Sequence, residues 1–111
     1  MEKVVTNHNI IKRQELNDVI FFESVGSYTR KYCNSGREYL INSNLDNVHE
    51  MLPRQKFFKI NESFIINADY LKKIKIRIPK KVLLCGGIEL NVAPNKYREL
   101  INFLRYKFNI W

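Results

Sequence analysis

Between Tyr70 and Ile88 the chain carries six lysines and arginines (Lys72, Lys73, Lys75, Arg77, Lys80, Lys81) and no acidic residue. Within that stretch Lys73, Lys75 and Arg77 alternate with Ile74, Ile76 and Ile78. A strand built on this alternation buries an all-isoleucine face and presents an all-cationic one. Fixed charge of one sign is the chemistry of polyanion contact. The same lysines also guard an exposed sheet edge against pairing with other sheets, and on the strand alone the two readings weigh equally. The whole chain tips the balance towards nucleic acid: 19 Lys and Arg stand against 11 Asp and Glu, a formal charge of +8, and the excess is concentrated here.

Other chemistry finds little support. Cys33 and Cys85 lie far apart, and with only His8 and His49 beside them there is no C-x-x-C or H-x-x-x-H spacing. A reduced cysteine pair, no metal site and no cofactor are therefore expected. No nucleophile has an evident base partner, and Gly86-Gly87 reads as a turn pair, not a phosphate loop, so an enzyme is not expected. Tyr28-x-Arg30-x-Tyr32 could stack single-stranded bases among cations, although tyrosines alternating on a hairpin more often pack half-buried.

The elements that must position these residues are mostly strands. With 111 residues, 45% apolar, the chain suits one core and one domain. Residues 1–14 read as an N-terminal segment or linker remnant and 15–111 as the domain. No apolar run approaches a membrane span, and the start lacks the pattern of a secretory signal, so a cytoplasmic protein without membrane contact is expected. Val19–Phe22 forms a strand, and Tyr28–Cys33 pairs through the turn Asn34-Ser35-Gly36-Arg37 with Glu38–Ile41. Ser43 caps a short helix with Leu45, Val48 and Leu52 on one face, stopped by Pro53. Two apolar runs, Phe57–Ile60 and Phe64–Asn67, flank the polar Asn61-Glu62-Ser63, which suggests a loop that thrusts side chains outward. Val82–Cys85 and Ile88–Val92 are further strands. A last helix opens at Pro94 and packs through Tyr97, Ile101, Leu104 and Phe108. The fold class expected is mainly β, with antiparallel sheets, one short helix and a C-terminal helix.

From about Glu15 to Tyr106 the sequence resembles the LytTR DNA-binding domain found in bacterial response regulators. The likeness is carried by Asp18–Tyr28, with its apolar strand, Glu23 and Gly26-x-Tyr28; by the helix Leu45–Leu52 before Pro53; by Phe58-Lys59-Ile60-Asn61-Glu62-Ser63-Phe64-Ile65-Ile66-Asn67; and by Asn91–Tyr97. The resemblance implies antiparallel sheets laid side by side and a transcription factor that reads promoter duplexes with loops. It implies base contacts from Ser27 and Tyr28, from Asn61, Glu62 and Ser63, and from Asn95. Lys59, Lys73, Lys75, Arg77, Lys80, Lys81, Lys96 and Arg98 are then expected on phosphates. Self-association on repeated half-sites is an accompanying expectation.

The chain departs from the family pattern at Asn61, where the family usually has His; at Lys59, where it has Arg; and at Ala93-Pro94, where it often has Ser-Arg. Asn61 can still pair bidentately with adenine, and Glu62 can accept from cytosine N4 or repel phosphate. Ser63 and Asn67 match best, and both have the alternative of satisfying backbone groups beside the loop. Two rivals to duplex reading stay open: an interaction or regulatory module that keeps the fold without the reading, and an RNA-binding module.

Overall fold

Val19-Ile20-Phe21-Phe22 is buried throughout, although alternate residues of a strand point to opposite faces. Strand β2 (Val19–Val25) therefore lies in a sheet covered on both sides. In this computed structural model, which describes residues 2–5 and 16–109, β2 is hydrogen-bonded to a neighbour along each edge. Its antiparallel neighbours are β3 (Tyr28–Cys33) and β6 (Phe64–Asn67). β4 (Glu38–Ile41) and β5 (Phe57–Lys59) flank these, and β1 (Glu2–Val5) runs parallel to β4 at the margin. The six-stranded order is β1-β4-β3-β2-β6-β5. Thus Glu2–Val5, within the expected N-terminal segment, adds a strand, while residues 6–15, His8 among them, lie outside the described residues.

A bulge between Val19 and Phe21 shifts the β2–β3 register. Two successive residues, Ile20 and Phe21, consequently join one apolar cluster, while Val19 and Phe22 join the other. The first cluster packs beneath helix α1 (Leu45–Met51), whose Leu45 and Val48 are buried as the sequence predicts. Its cap differs from expectation. Asn44, not Ser43, accepts the Asn47 backbone N–H, at 2.9 Å. Ser43 is buried instead, and its carbonyl accepts the Thr29 hydroxyl at 2.8 Å.

The second cluster joins the large sheet to a three-stranded antiparallel sheet, β7 (Leu71–Lys75), β8 (Lys81–Leu84) and β9 (Ile88–Asn91), and to helix α2 (Tyr97–Phe108). Leu100 is the helix's fully buried anchor, with Tyr97, Phe103 and Leu104 partly buried beside it. Phe108 is exposed, so the inward stripe is centred one residue before Ile101.

The isoleucine alternation is the main departure. β7 ends at Lys75, paired with Lys81, so residues 76–80 form the connection between strands. Pro79 donates no backbone hydrogen bond and holds its predecessor out of regular pairing. Ile76 is 68% exposed and Ile78 89% exposed; only Ile74 packs against the core. Among the described residues the architecture is mainly β, with pairing antiparallel except between β1 and β4, one short α-helix and a C-terminal helix.

Candidate nucleic-acid interface

Three loops are tied into one continuous edge. The first, Gly26-Ser27, is a two-residue hairpin turn closed by the Val25–Tyr28 pair. Gly26 has φ +62° and Ser27 does not share the positive φ, the pattern of a type II′ turn whose first central residue must be glycine. The second, Asn61–Ser63, joins β5 to β6, and its Ser63 carbonyl accepts the Ser24 N–H of β2 at 2.8 Å. The third, the 3-10 turn Pro94–Lys96, opens α2. It is pinned to the second because the Ala93 N–H donates to the Ile60 carbonyl at 2.9 Å.

Asn61 holds the middle loop together. Its Oδ1 accepts the Ser63 and Phe64 backbone N–H groups at 2.7 and 2.9 Å, and its Nδ2 donates to the Asn91 carbonyl at 2.6 Å. A bidentate adenine contact by Asn61 would require these bonds to be given up. The exposed polar side chains on the three loops, with Tyr28 beside the first, are Ser27, Tyr28, Glu62, Ser63 and Asn95. The Ser63 hydroxyl has no hydrogen bond among the described residues, which leaves it able to donate or accept. Asn67, by contrast, is fully buried: Nδ2 donates to Val19 O at 2.7 Å and Oδ1 accepts from Asp69 N at 3.0 Å. It serves the backbone.

The tyrosine pair divides. Tyr32 stacks on Phe21, with centroids 4.3 Å apart and planes at 15°, and its hydroxyl donates to Glu23 at 2.9 Å. Packing has taken that ring, and Tyr28 alone presents an exposed face.

The candidate cations also divide. Lys59 is only 13% exposed; its Nζ lies 2.6 Å from Asp46 and 3.7 Å from Glu62, so it spans two carboxylates. Lys75 is bonded to Glu89, which lies 3.9 Å from Lys81 as well. Lys80 sits over the Tyr97 ring at 4.9 Å, and Lys96 lies 3.7 Å from Glu99. Lys73, Arg77 and Arg98 are exposed and form no ion pair among the described residues. Exposed pairs such as Lys75–Glu89 are weak and screened by salt, so a phosphate can compete for them. The largely buried Lys59 side chain, held by two carboxylates, is more firmly committed. Lys72, exposed and likewise without an ion pair among the described residues, lies outside the alternation that singled out its neighbours.

These contacts set the local electrostatics. The Lys59 hydrogen bond and charge hold the Asp46 carboxyl below its ordinary value, and Lys75 does the same to Glu89. Burial, reinforced by Lys59 and Arg54, holds the His49 imidazole below its ordinary 6.5. Below that value the unfolded chain binds more protons at this site than the folded one. Stability is therefore fullest above 6.5 and falls as the pH drops towards the lower folded value. Unfolding midpoints measured at decreasing pH are expected to fall less steeply for His49→Gln than for the parent chain.

Among the described residues no group of three side chains could hold a metal ion, and no helix is long and apolar enough to cross a membrane. No disulfide joins Cys33, which is buried, to Cys85, which is half-buried. Two site features escaped the sequence. Asn91 supplies the carbonyl that anchors Asn61, a backbone role with no sequence signal. Ile78 borders the same hollow as Asn61 and Pro94, and its sole signal is the proline beside it in a basic stretch.

No curated protein matches the chain. The family model described as the LytTr DNA-binding domain matches residues 10–105. Among solved structures, a LytTr DNA-binding domain from Bacillus cereus superposes with a TM-score of 0.73 at 18% identity, covering 79% of this chain and 82% of that one. At that identity the superposition speaks for the fold. The match of the family model over most of the length goes further, and the chain belongs to the LytTR DNA-binding domain family.

Proposed function

We propose that this domain binds double-stranded DNA with sequence preference, as the output part of a bacterial transcription regulator in the cytoplasm. The observation that carries the proposal is the edge made by the hydrogen bonds Ser24–Ser63 and Ile60–Ala93. They bring three polar loops together beside the basic β7–β8 connection, whose Lys80 shares a hollow with Asn61 and Pro94. Loop side chains held by strands can reach base edges while neighbouring cations hold phosphates. Ser27, Tyr28, Glu62, Ser63 and Asn95 are the proposed readers, with Asn61 ordering the loop between them. Lys73, Arg77 and Arg98 supply phosphate contacts first. Lys75, Lys80, Lys81 and Lys96 follow by exchanging weak internal partners. The similar Bacillus cereus domain comes from a protein named as a methyl-accepting/DNA response regulator. Control by an upstream signal, with self-association on repeated half-sites, is the corresponding proposal here.

Selection of duplexes from a random pool tests the proposal. Enrichment of a common sequence is the expected result, and equal retention of random and selected duplexes would overturn it. Affinity is also expected to fall with salt. Lys73→Ala should weaken all sequences alike and flatten the slope of log affinity against log salt by about 0.9. A second reading, an interaction module that has kept the fold, draws on the internal commitment of Asn61 and Lys59. It predicts no shift of any duplex even at low salt.

A further inference from the structure

Among the described residues Ile78 is the most exposed of the large apolar side chains, at 89%, and Ile76 of the same connection stands at 68%. Single exposed apolar residues are ordinary, but these lie at the tip of a connection with six flanking cations and no acid between residues 70 and 88. On one side Ile78, Pro79 and Lys80 line a hollow of about 330 Å³ with Asn61, Asn91 and Pro94. The Lys80 carbonyl accepts the Val92 N–H at 2.9 Å, which fixes the connection to the third loop. On the other side Ile78 shares a hollow of about 500 Å³ with Lys73, Lys75, Arg77 and Lys81, and with Glu89, the partner of Lys75. The connection is thus an apolar tip on cationic shoulders, continuous with the three-loop edge.

We propose that the β7–β8 connection is a fourth DNA-contacting element, in which Ile78, backed by Pro79, wedges between base pairs from the minor groove and bends the duplex. The inference rests on the duplex binding proposed above and adds to it a deformation of the DNA. An exposed isoleucine gains by entering the stack, and that gain offsets unstacking. Such a wedge bends the duplex towards its major groove and opens the minor groove around the tip, where Lys73 and Arg77 can reach the phosphates of its rims. A membrane surface would also accept an isoleucine among lysines. The polar loops that share the hollow, with Asn61 and Asn91 at its wall, favour a duplex.

The test uses the full chain and a duplex selected by it, labelled at both ends for energy transfer, with affinity read in the same titration. The parent chain is expected to shorten the end-to-end distance. Ile78→Ala and Ile78→Lys are expected to leave the duplex straighter and to bind about tenfold more weakly, the added lysine charge giving no advantage over alanine. Unfolding midpoints should stay unchanged for both variants, since the side chain contributes almost nothing to the core. Equal bending by parent and Ile78→Ala overturns the wedge and leaves duplex binding standing. Tighter binding by Ile78→Lys overturns it too, making the tip a mere neighbour of phosphate. Loss of binding to acidic phospholipid vesicles with unchanged DNA affinity would transfer the tip to a membrane. Failure of the parent chain to bind any duplex would remove both proposals.

Discussion

Phe22→Ala is expected to lower the free energy of unfolding by about 3–5 kcal/mol, seen as a large fall in the urea midpoint. Phe22 is fully buried, and its ring packs at 59° against Phe57 with centroids 5.7 Å apart. It stands on the strand that carries hydrogen bonds to both β3 and β6, with Lys31 opposite on one side and Ile65 on the other. Truncation leaves a cavity between α1 and the large sheet that neither can fill by sliding, because the strand is fixed along both edges. Domains of this size have about 5–15 kcal/mol of stability in total, so the variant should sit near the threshold of folding. Ile78→Ala is the matched contrast: it removes a similarly apolar side chain from solvent and should change stability by about 0.5 kcal/mol or less. A small effect of Phe22→Ala would mean that the first cluster repacks, and that α1 is held less firmly than its burial implies.

The strands from β2 onward, the two helices and the polar loop at Asn61–Ser63 were legible because local pattern and tertiary environment agree there; β1 was not, since Glu2–Val5 read as part of an N-terminal segment. Val19–Phe22 read as a buried run and is one, although the bulge that sends Ile20 and Phe21 to the same side leaves no trace in composition. The alternation from Ile74 to Ile78 misled for a physical reason. A period of two states which side chains share a face, but not whether a partner strand reaches far enough to cover it, and β8 begins only at Lys81. Helix α2 shows the same limit. Tyr97, Ile101, Leu104 and Phe108 satisfy helical spacing, yet the docking angle brings Leu100 to the centre and leaves Phe108 outside. At the candidate site, residue types were legible while their commitments were not. Lys59 looks like a free cation until Asp46 is brought to 2.6 Å from a helix 13 residues away in sequence. Long-range pairs of this kind depend on the assembled sheet.

Asn61→Ala is expected to cost about 1–3 kcal/mol of stability and to weaken binding of a selected duplex roughly 10–100-fold. The substitution removes the acceptor for the Ser63 and Phe64 N–H groups and the donor to Asn91. Water can replace part of this at the half-exposed loop, which bounds the stability loss; the order of the loop itself is not replaced. If Asn61 orders the edge, preference should blur at the positions contacted by Glu62, by Ser63 and by Asn95 together, because the second and third loops lose their shared anchor. Asn61→Asp sharpens the test. The carboxylate still accepts the two N–H groups but cannot donate to Asn91, so the second loop should keep its shape while its tie to the end of β9 is lost and only the Ala93–Ile60 backbone bond holds it to the third. Stability is then expected to lie between parent and alanine variant, with the loss of preference concentrated on the third loop's positions. A change confined to one base pair, with the unfolding midpoint unmoved in Asn61→Ala, would instead make Asn61 a direct reader. It would also mean that the three internal bonds open when DNA is bound.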